Sequence, residues 1–352
     1  MQHRTIGSTD VEVSEVGFGG WVVGTDWWGD RSREQAVEMV QHALDQGITY
    51  FDTGDVYGHG NSEELLGEAL SEHREEVTIS TKIGYDFYNN PQAGHGELPK
   101  RIDSDWIETA FSRSLDRLGL EYVDLLMLHN ANVDEVDADV LEALDRLQED
   151  GRVDAVGWAL GPSIGWLAEG EAAAEHEFDA VQTVFNLLEQ APGQRFLDAI
   201  EEHDADTSLI PRVPHSSGLL NEQVTPETEL GSGDHRSHRP DEWYETGWEK
   251  VESLRFLEAD GERTMAQAAI QWLLYHDAVA TVTPTFRSTD DIDEWAAASD
   301  VPGLTDEEYE RVQRLRETNF EIDRDDGMDA LRSSVDGTDI EAAGLEYEAA
   351  NY

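Results

Sequence analysis

Cysteine does not occur anywhere in the 352 residues. That excludes disulfides, thiolate metal centres and a cysteine nucleophile. Lysine is almost missing too, limited to Lys82, Lys100 and Lys250. Basic residues number 24 against 77 acidic ones, a formal net charge of −53. Without a basic stripe, neither nucleic acid nor an anionic membrane is an expected partner. No apolar stretch approaches the ~20 residues that span a bilayer. The opening Met1-Gln2-His3-Arg4-Thr5 also lacks the apolar run of a secretory leader, so a cytoplasmic location is expected. The acid is spread along the chain rather than gathered in a tail. It reads as a solvated acidic surface that repels itself at low salt, the pattern of a halophilic protein.

Apolar residues still make up 39% of the chain, in periodic clusters that argue against disorder. After a polar hairpin over residues 2–14, short strand-like runs recur. They are Val16–Gly19, Ile48–Phe51, Val77–Ser80, Val123–Leu128, Ala155–Trp158, Ala180–Val184, Ser208–Ile210 and Val279–Val282. Amphipathic helical spacing lies between them, at 33–46, 105–118, 138–149, 264–276 and 305–317. Ser62 is expected to cap one helix and Gly47 to close another. Eight strand–helix units predict an α/β chain closed as a (β/α)8 TIM barrel. An open doubly wound sheet is the rival, but Gly17-Phe18-Gly19-Gly20-Trp21-Val22 lacks the third glycine of a dinucleotide fingerprint. The barrel is expected over 1–317, with an insertion at 221–247. An acidic extension at 318–352 follows, and it is not a separate domain.

In such barrels chemistry collects where strands end at the C-terminal face. Asp52 ends the second strand run, with Tyr57 five residues on. Lys82 ends the third, after Ser80-Thr81, and His129 ends the fourth. A phenol has an ordinary pKa near ~10 and is a poor acid at neutral pH. A neighbouring ammonium, Lys82, favours the phenolate. Asp52 can hold Lys82 charged, and His129 can donate to a carbonyl oxygen. Together they could polarise a C=O and protonate the developing alkoxide. None supplies a hydride, so a nicotinamide cofactor is implied. Keeping Lys82 in a chain so poor in lysine suggests that arginine, planar and differently bonded, cannot replace it.

Phe51-Asp52-Thr53 through Tyr57-Gly58, Ser62-Glu63, Ser80-Thr81-Lys82 and Leu128-His129 closely resemble the aldo-keto reductase signature. Further matches are Gln182, Asn186–Gln190, Arg212-Val213-Pro214, Ser217–Leu220, and Pro284 with Arg287. The resemblance runs over roughly residues 1–317. It implies an NADP or NAD cofactor laid across the barrel's C-terminal face, a small carbonyl substrate, and Asp52, Tyr57, Lys82 and His129 as a catalytic tetrad. It implies cofactor contacts from Gly20, Trp21, Asp52, Gln182, Arg212, Pro214, Ser216, Gly218, Leu219, Thr285, Arg287 and Asp291. Substrate contacts are implied from Trp21, Tyr57, His129 and Asn130.

The chain departs from the family pattern in places. Trp158-Ala159-Leu160-Gly161 stands where many members place Ser-Asn, leaving Gln182 for the nicotinamide amide. Arg212 stands where many carry a stacking tyrosine. Asp291 and Trp295 replace polar or basic partners near the adenosine end, as surface acids or as determinants of cofactor choice. Trp21, Trp27 and Trp28 suit a substrate wall as well as a core. No metal is expected: Asp234, His235 and His238 have conceivable spacing but no third ligand nearby. Arg236 and Arg239 are more naturally contacts to a cofactor pyrophosphate. Two other functions compete with the reductase. One is a lyase forming a Schiff base on Lys82. The other is a regulatory protein that keeps the fold and the cofactor without turnover.

Overall fold

The computed structural model describes residues 1–25, 31–90, 98–161, 166–229 and 241–322. Strands β1 (His3–Thr5) and β2 (Glu12–Ser14) form the expected antiparallel hairpin. Seven parallel strands follow: β3 (Phe18–Gly19), β4 (Tyr50–Asp52), β5 (Thr78–Ile83), β6 (Val123–His129), β7 (Val153–Ala159), β8 (Ala180–Val184) and β9 (Ser208–Arg212). An eighth extended segment closes the ring. Ala280 N donates to Leu209 O on one side, and Gly17 N donates to Val282 O on the other. Parallel bridges Leu209–Val279, Arg212–Thr283 and Val16–Val282 repeat the pattern. The fold is the (β/α)8 barrel.

Helices α1 (Trp21–Gly24), α2 (Arg33–Asp45), α3 (Asn61–Leu70), α4 (Ser104–Leu118), α5 (Ala138–Glu149), α6 (Leu167–Glu175), α7 (Ala191–His203), α8 (Asp241–Ser253), α9 (Met265–Leu274), α10 (Thr289–Ala296) and α11 (Asp306–Glu317) follow in chain order. Several start on side chains that satisfy the open N–H groups of the first turn. Ser32 with Gln35, Thr264 with Gln267 and Thr305 with Glu308 make reciprocal capping boxes. One expected cap is wrong. Ser62 lies inside α3, which is entered from Gly60 at φ +94. Ser62 is instead buried, donating from Oγ to Gly20 O at 3.0 Å and accepting from Thr53 Oγ1 at 2.7 Å. Gly47, expected to close α2, sits one residue past the cap Gln46 at φ +84.

Strand alternation divides the apolar residues between two cores. Phe51, Ile79, Leu126 and Leu128 point outward into the layer packed by helices. Tyr50, Leu125, Met127, Ala155, Ala159, Ala180, Ile210 and Ala280 fill the barrel with Ile6, Val11 and Val13 of the hairpin region. The hairpin is fastened beneath the strands, since Thr78 Oγ1 donates to Glu12 O at 2.6 Å and Gly7 N donates to Ser208 Oγ at 2.9 Å. With the lower end plugged, the same period of two carries Asp52, Lys82, His129, Gln182 and Arg212 inward at the opposite end. Register keeps them near one level: Asp52 pairs Ser80, Lys82 pairs Met127, His129 pairs Ala159, and Ala159 pairs Gln182. Among the described residues no helix is long and apolar enough to cross a membrane.

Candidate active site

Lys82 is the centre of the inward cluster and is fully buried. Its Nζ donates to both carboxylate oxygens of Asp52, at 2.7 and 2.6 Å, and to Thr53 O at 2.6 Å. Asp52 Oδ1 also accepts from Ser80 Oγ at 2.7 Å, and Ser80 accepts from Tyr50 OH at 2.9 Å. The chain therefore meets the cost of burying an ammonium with a bidentate carboxylate and a carbonyl. Removing one partner of such a buried pair costs about 3–5 kcal/mol.

Tyr57 arrives on the turn between β4 and α3. Asp55 N donates to Lys82 O and Tyr57 N donates to Gly54 O, both at 3.0 Å, which ties that turn to the end of β5. The Lys82 Nζ lies 4.9 Å from the centre of the Tyr57 ring. His129 stands edge-on to Tyr57, with ring centres 5.6 Å apart. The four residues singled out at strand ends are thus neighbours. Burial pushes the Tyr57 hydroxyl above its ordinary range, Lys82 pulls it down, Asp52 pushes it up and Arg212 pulls it down. The expected influence of Lys82 has the right sign. The net direction is nevertheless upward, because desolvation of a phenolate outweighs one ammonium that Asp52 already engages.

Trp21 makes one wall, edge-on to Tyr57 with centres 4.7 Å apart. Asn130, next to His129 and at φ +55, donates from Nδ2 to Tyr85 OH at 2.8 Å. Tyr85 was not singled out from the sequence, yet its ring stands edge-on to His129 with centres 5.2 Å apart. Its only signal is a position three residues past Lys82, where the strand gives way to the mouth. Trp27 and Trp28 lie outside the described residues.

The residues assigned to a cofactor lie at several places around the mouth. Gln182 is buried, and its Nε2 has no hydrogen-bond partner among the described residues. A buried donor of this kind calls for an acceptor, and a carboxamide oxygen is a fitting one. Arg212 reaches from β9 to Leu160 O at 2.8 Å and Gly161 O at 2.6 Å, placing a planar cation along the mouth. After β9, Val213, Ser216, Ser217 and Gly218 all hold positive φ values. Three of these are not glycine, and Val213 is β-branched. Such strain concentrates where backbone N–H groups must face a ligand. Ser216 Oγ donates to Glu189 Oε2 at 3.1 Å, so its side chain braces the loop and leaves contact to its backbone.

Other assigned positions make contacts within the protein. The N–H of Gly20 donates to Asp52 O at 2.7 Å, and its carbonyl accepts from Ser62 Oγ at 3.0 Å. Pro214 lines a small cleft with Ala266, Ala269, Ile270 and Trp295, against the helices. The side chain of Leu219 is in the core. Trp295 is buried there too, beside Phe286 and His215, so it packs where a polar partner was looked for. Thr285 and Arg287 do line a cavity with Ser217, Gly218, Asn221 and Gln223. Asp291 does not confront that cavity as a loose anion. Its Oδ2 accepts from Arg287 N at 2.7 Å, and Oδ1 accepts from Gln223 Nε2 at 3.3 Å. Asp234, His235, His238, Arg236 and Arg239 lie outside the described residues. Among the described ones, no group of three His, Asp or Glu side chains is arranged to hold a metal ion.

The sequence profile of the Aldo/keto reductase family matches residues 15–317. The chain belongs to that family. The uncharacterized oxidoreductase YqkF of Bacillus subtilis is 26% identical over 316 residues, 89% of this chain and 96% of that protein. The NADH-specific methylglyoxal reductase of Escherichia coli is 25% identical over 336 residues, 90% of this chain and 99% of the other. The holo form of an aldo-keto reductase from Bacillus halodurans superposes with a TM-score of 0.73 at 27% identity, covering 90% of this chain and 96% of its own. Within the aldo/keto reductase barrel, the inward strand-end cluster described above occupies the C-terminal mouth, where loop residues meet ligands.

Proposed function

We propose that this protein is an NAD(P)-dependent oxidoreductase that interconverts a small carbonyl compound and its alcohol, with Tyr57 moving the proton. The observation that carries the reading is the Lys82 ammonium, locked by Asp52 and Thr53 and standing 4.9 Å from the Tyr57 ring. A nicotinamide bound across the mouth would supply or accept the hydride. Tyr57 OH then gives its proton to the substrate oxygen, and Lys82 stabilises the phenolate left behind. His129, fixed between Tyr57 and Tyr85, donates to the same oxygen and orients it. Trp21 and Asn130 bound the space in which the carbon skeleton lies.

Gln182 would hold the carboxamide, Arg212 would lie along the nicotinamide, the strained 213–218 loop would face the phosphates, and Arg287 would meet the adenosine end. The same geometry counts against Schiff-base chemistry on Lys82. A nucleophilic amine must be neutral, and here Nζ is held by a carboxylate on two bonds. Retention of all four mouth residues favours turnover over a purely regulatory role. We also infer that the chain works in concentrated salt, on the strength of its −53 charge.

The test is reduction of a panel of small aldehydes and ketones with NADPH or NADH in molar potassium chloride. Tyr57→Phe should lower kcat by about 100-fold or more while cofactor affinity, read from tryptophan quenching, changes only slightly. A Phe variant that keeps most of its kcat ends the assignment of Tyr57 as proton donor.

A further inference from the structure

Asp55 lies two residues before Tyr57 and has no role in the chemistry above. It is fully buried, and no described side chain donates a hydrogen bond to either carboxyl oxygen, the N–H of the adjacent Val56 being the donor beside it. That is an expensive arrangement. A carboxylate taken out of water without donors costs several kcal/mol, and such a group keeps its proton instead. The surroundings offer no counter-charge to spare. Glu63 of α3 is also fully buried and already takes Arg117 Nε at 2.6 Å and Thr81 Oγ1 at 2.5 Å. The rest of the Arg117 guanidinium is used by Tyr88 OH and Ser114 Oγ. Lys82 is taken by Asp52 and Thr53. Two buried carboxyls thus share one guanidinium, and that guanidinium bonds Glu63.

The location matters as much as the chemistry. The backbone N–H of Asp55 is the bond that fastens the Tyr57 turn to Lys82 O. Its side chain is the buried plug of the same turn. The neighbouring Gly54 lies against both partners of the pair: a Cβ there would meet the Tyr57 ring at 3.4 Å and Lys82 Cβ at 3.5 Å, ordinary contact distances. We propose that Asp55 is a positioning residue: an uncharged, protonated carboxylic acid that plugs the turn onto β5 and so holds Tyr57 against Lys82 without adding a second negative charge beside that pair. Ionisation would drive the plug toward water and pull the turn with it. The groups facing Asp55 are Glu63 from α3, Arg117 from α4, Lys82 from β5, and Tyr85 and Tyr88 from the loop beyond β5.

Electrostatics agrees with the packing. Burial first, and Glu63 second, push the Asp55 carboxyl well above its ordinary value, while Arg117, the Val56 N–H and Lys82 pull the other way. The sign of the linkage follows. An acid whose folded pKa is raised costs stability once the pH passes its unfolded value of 3.8. That cost grows until the pH reaches the folded value. Asp55→Asn, neutral and nearly the same shape, removes the growing cost.

The inference rests on Tyr57 being the proton donor, and its experiment separates the two claims. Infrared difference spectra of wild type minus Asp55→Asn, at neutral pH, should show the C=O stretch of a protonated carboxyl. The thermal midpoint of Asp55→Asn should gain on wild type as the pH rises from 4 toward 8. Asp55→Ala, which removes the plug, should lower kcat about tenfold or more with unchanged cofactor affinity, and Asp55→Asn should recover most of that loss. Absence of the infrared band, a midpoint gap that moves the other way with pH, or full kcat in Asp55→Ala overturns the proposal. If wild type turns over no carbonyl compound, the reductase reading fails. The infrared band and the midpoint gap then still decide whether Asp55 is a neutral acid.

Discussion

Asp291 is acidic at a place where acid is unwelcome if a phosphate is to bind, yet its two oxygens are spent on Arg287 N and Gln223 Nε2. Gln223 in turn accepts from Arg287 Nη1 at 3.0 Å. Asp291 therefore organises the arginine at the cavity edge. We predict that Asp291→Ala weakens binding of the dinucleotide instead of improving it. The loss of one charge-assisted bond, about 1.5 kcal/mol, corresponds to roughly tenfold in Kd. Titration of NADP and NAD in the same buffer tests it, and tighter NADP binding by the alanine variant would place Asp291 against the phosphate after all. At this scale the sequence was informative where a residue type has one chemical use. Asp52, Tyr57, Lys82 and His129 could be picked out because polar groups at strand ends need a reason. Tyr85 was not picked out and the packing role of Trp295 was not read, because an aromatic ring serves a core and a ligand wall equally well. Only packing showed Trp295 buried between Phe286 and His215, and Tyr85 against His129.

The elements that matter most are short connections. Gly58 follows Tyr57 at φ +60, and a Cβ there would lie 2.0 Å from Gly24 O at the end of α1. The end of α1, which carries Trp21, and the turn that carries Tyr57 therefore touch backbone to backbone. Gly58→Ala should cost more than about 1 kcal/mol, since both its φ and its space are wrong for a side chain. It should also lower kcat, because the Trp21–Tyr57 contact at 4.7 Å depends on that approach. A variant with the wild-type melting point would show that the loops tolerate separation. The strands and helices α2, α4, α5, α9 and α11 were legible in advance because period-two and period-3.6 burial leaves a direct trace in the sequence, whereas α6, α7, α8 and α10 were not read, and α8 begins inside the stretch expected as a polar insertion. The start of α3 was not legible either. Serine before a pair of glutamates looks like a cap, but the tight packing of Ser62 against Gly20 and Thr53 is a long-range contact that no local pattern records.

On the scale of the whole molecule the dominant fact is a surplus of charge that folding cannot neutralise. There are 77 acidic side chains for 24 basic ones, a formal surplus of 53 negative charges that lysine and arginine do not balance. The cations present are already used intensively. Arg255 alone lies within ion-pair distance of Glu222, Glu252 and Glu258. Arg263 is buried and bonds Glu308 together with the carbonyls of Leu257, Pro302 and Gly303. The remaining carboxylates repel one another over a distance set by the solution. That distance is about 3 Å in 1 M salt and about 30 Å in 0.01 M. In the first case each charge feels only its neighbours, and in the second most of the barrel. The unfolded chain spreads the same charges farther apart, so low salt favours it. We predict that dilution of potassium chloride from molar to low millimolar concentration unfolds the protein, seen as loss of the circular dichroism of helices and strands. Sodium chloride at equal ionic strength should protect as well as potassium chloride, since screening does not depend on the identity of the cation. Protection by potassium alone would point to specific ion sites, and an unchanged spectrum through the dilution would show that the charges are far enough apart in the folded state to need no screening.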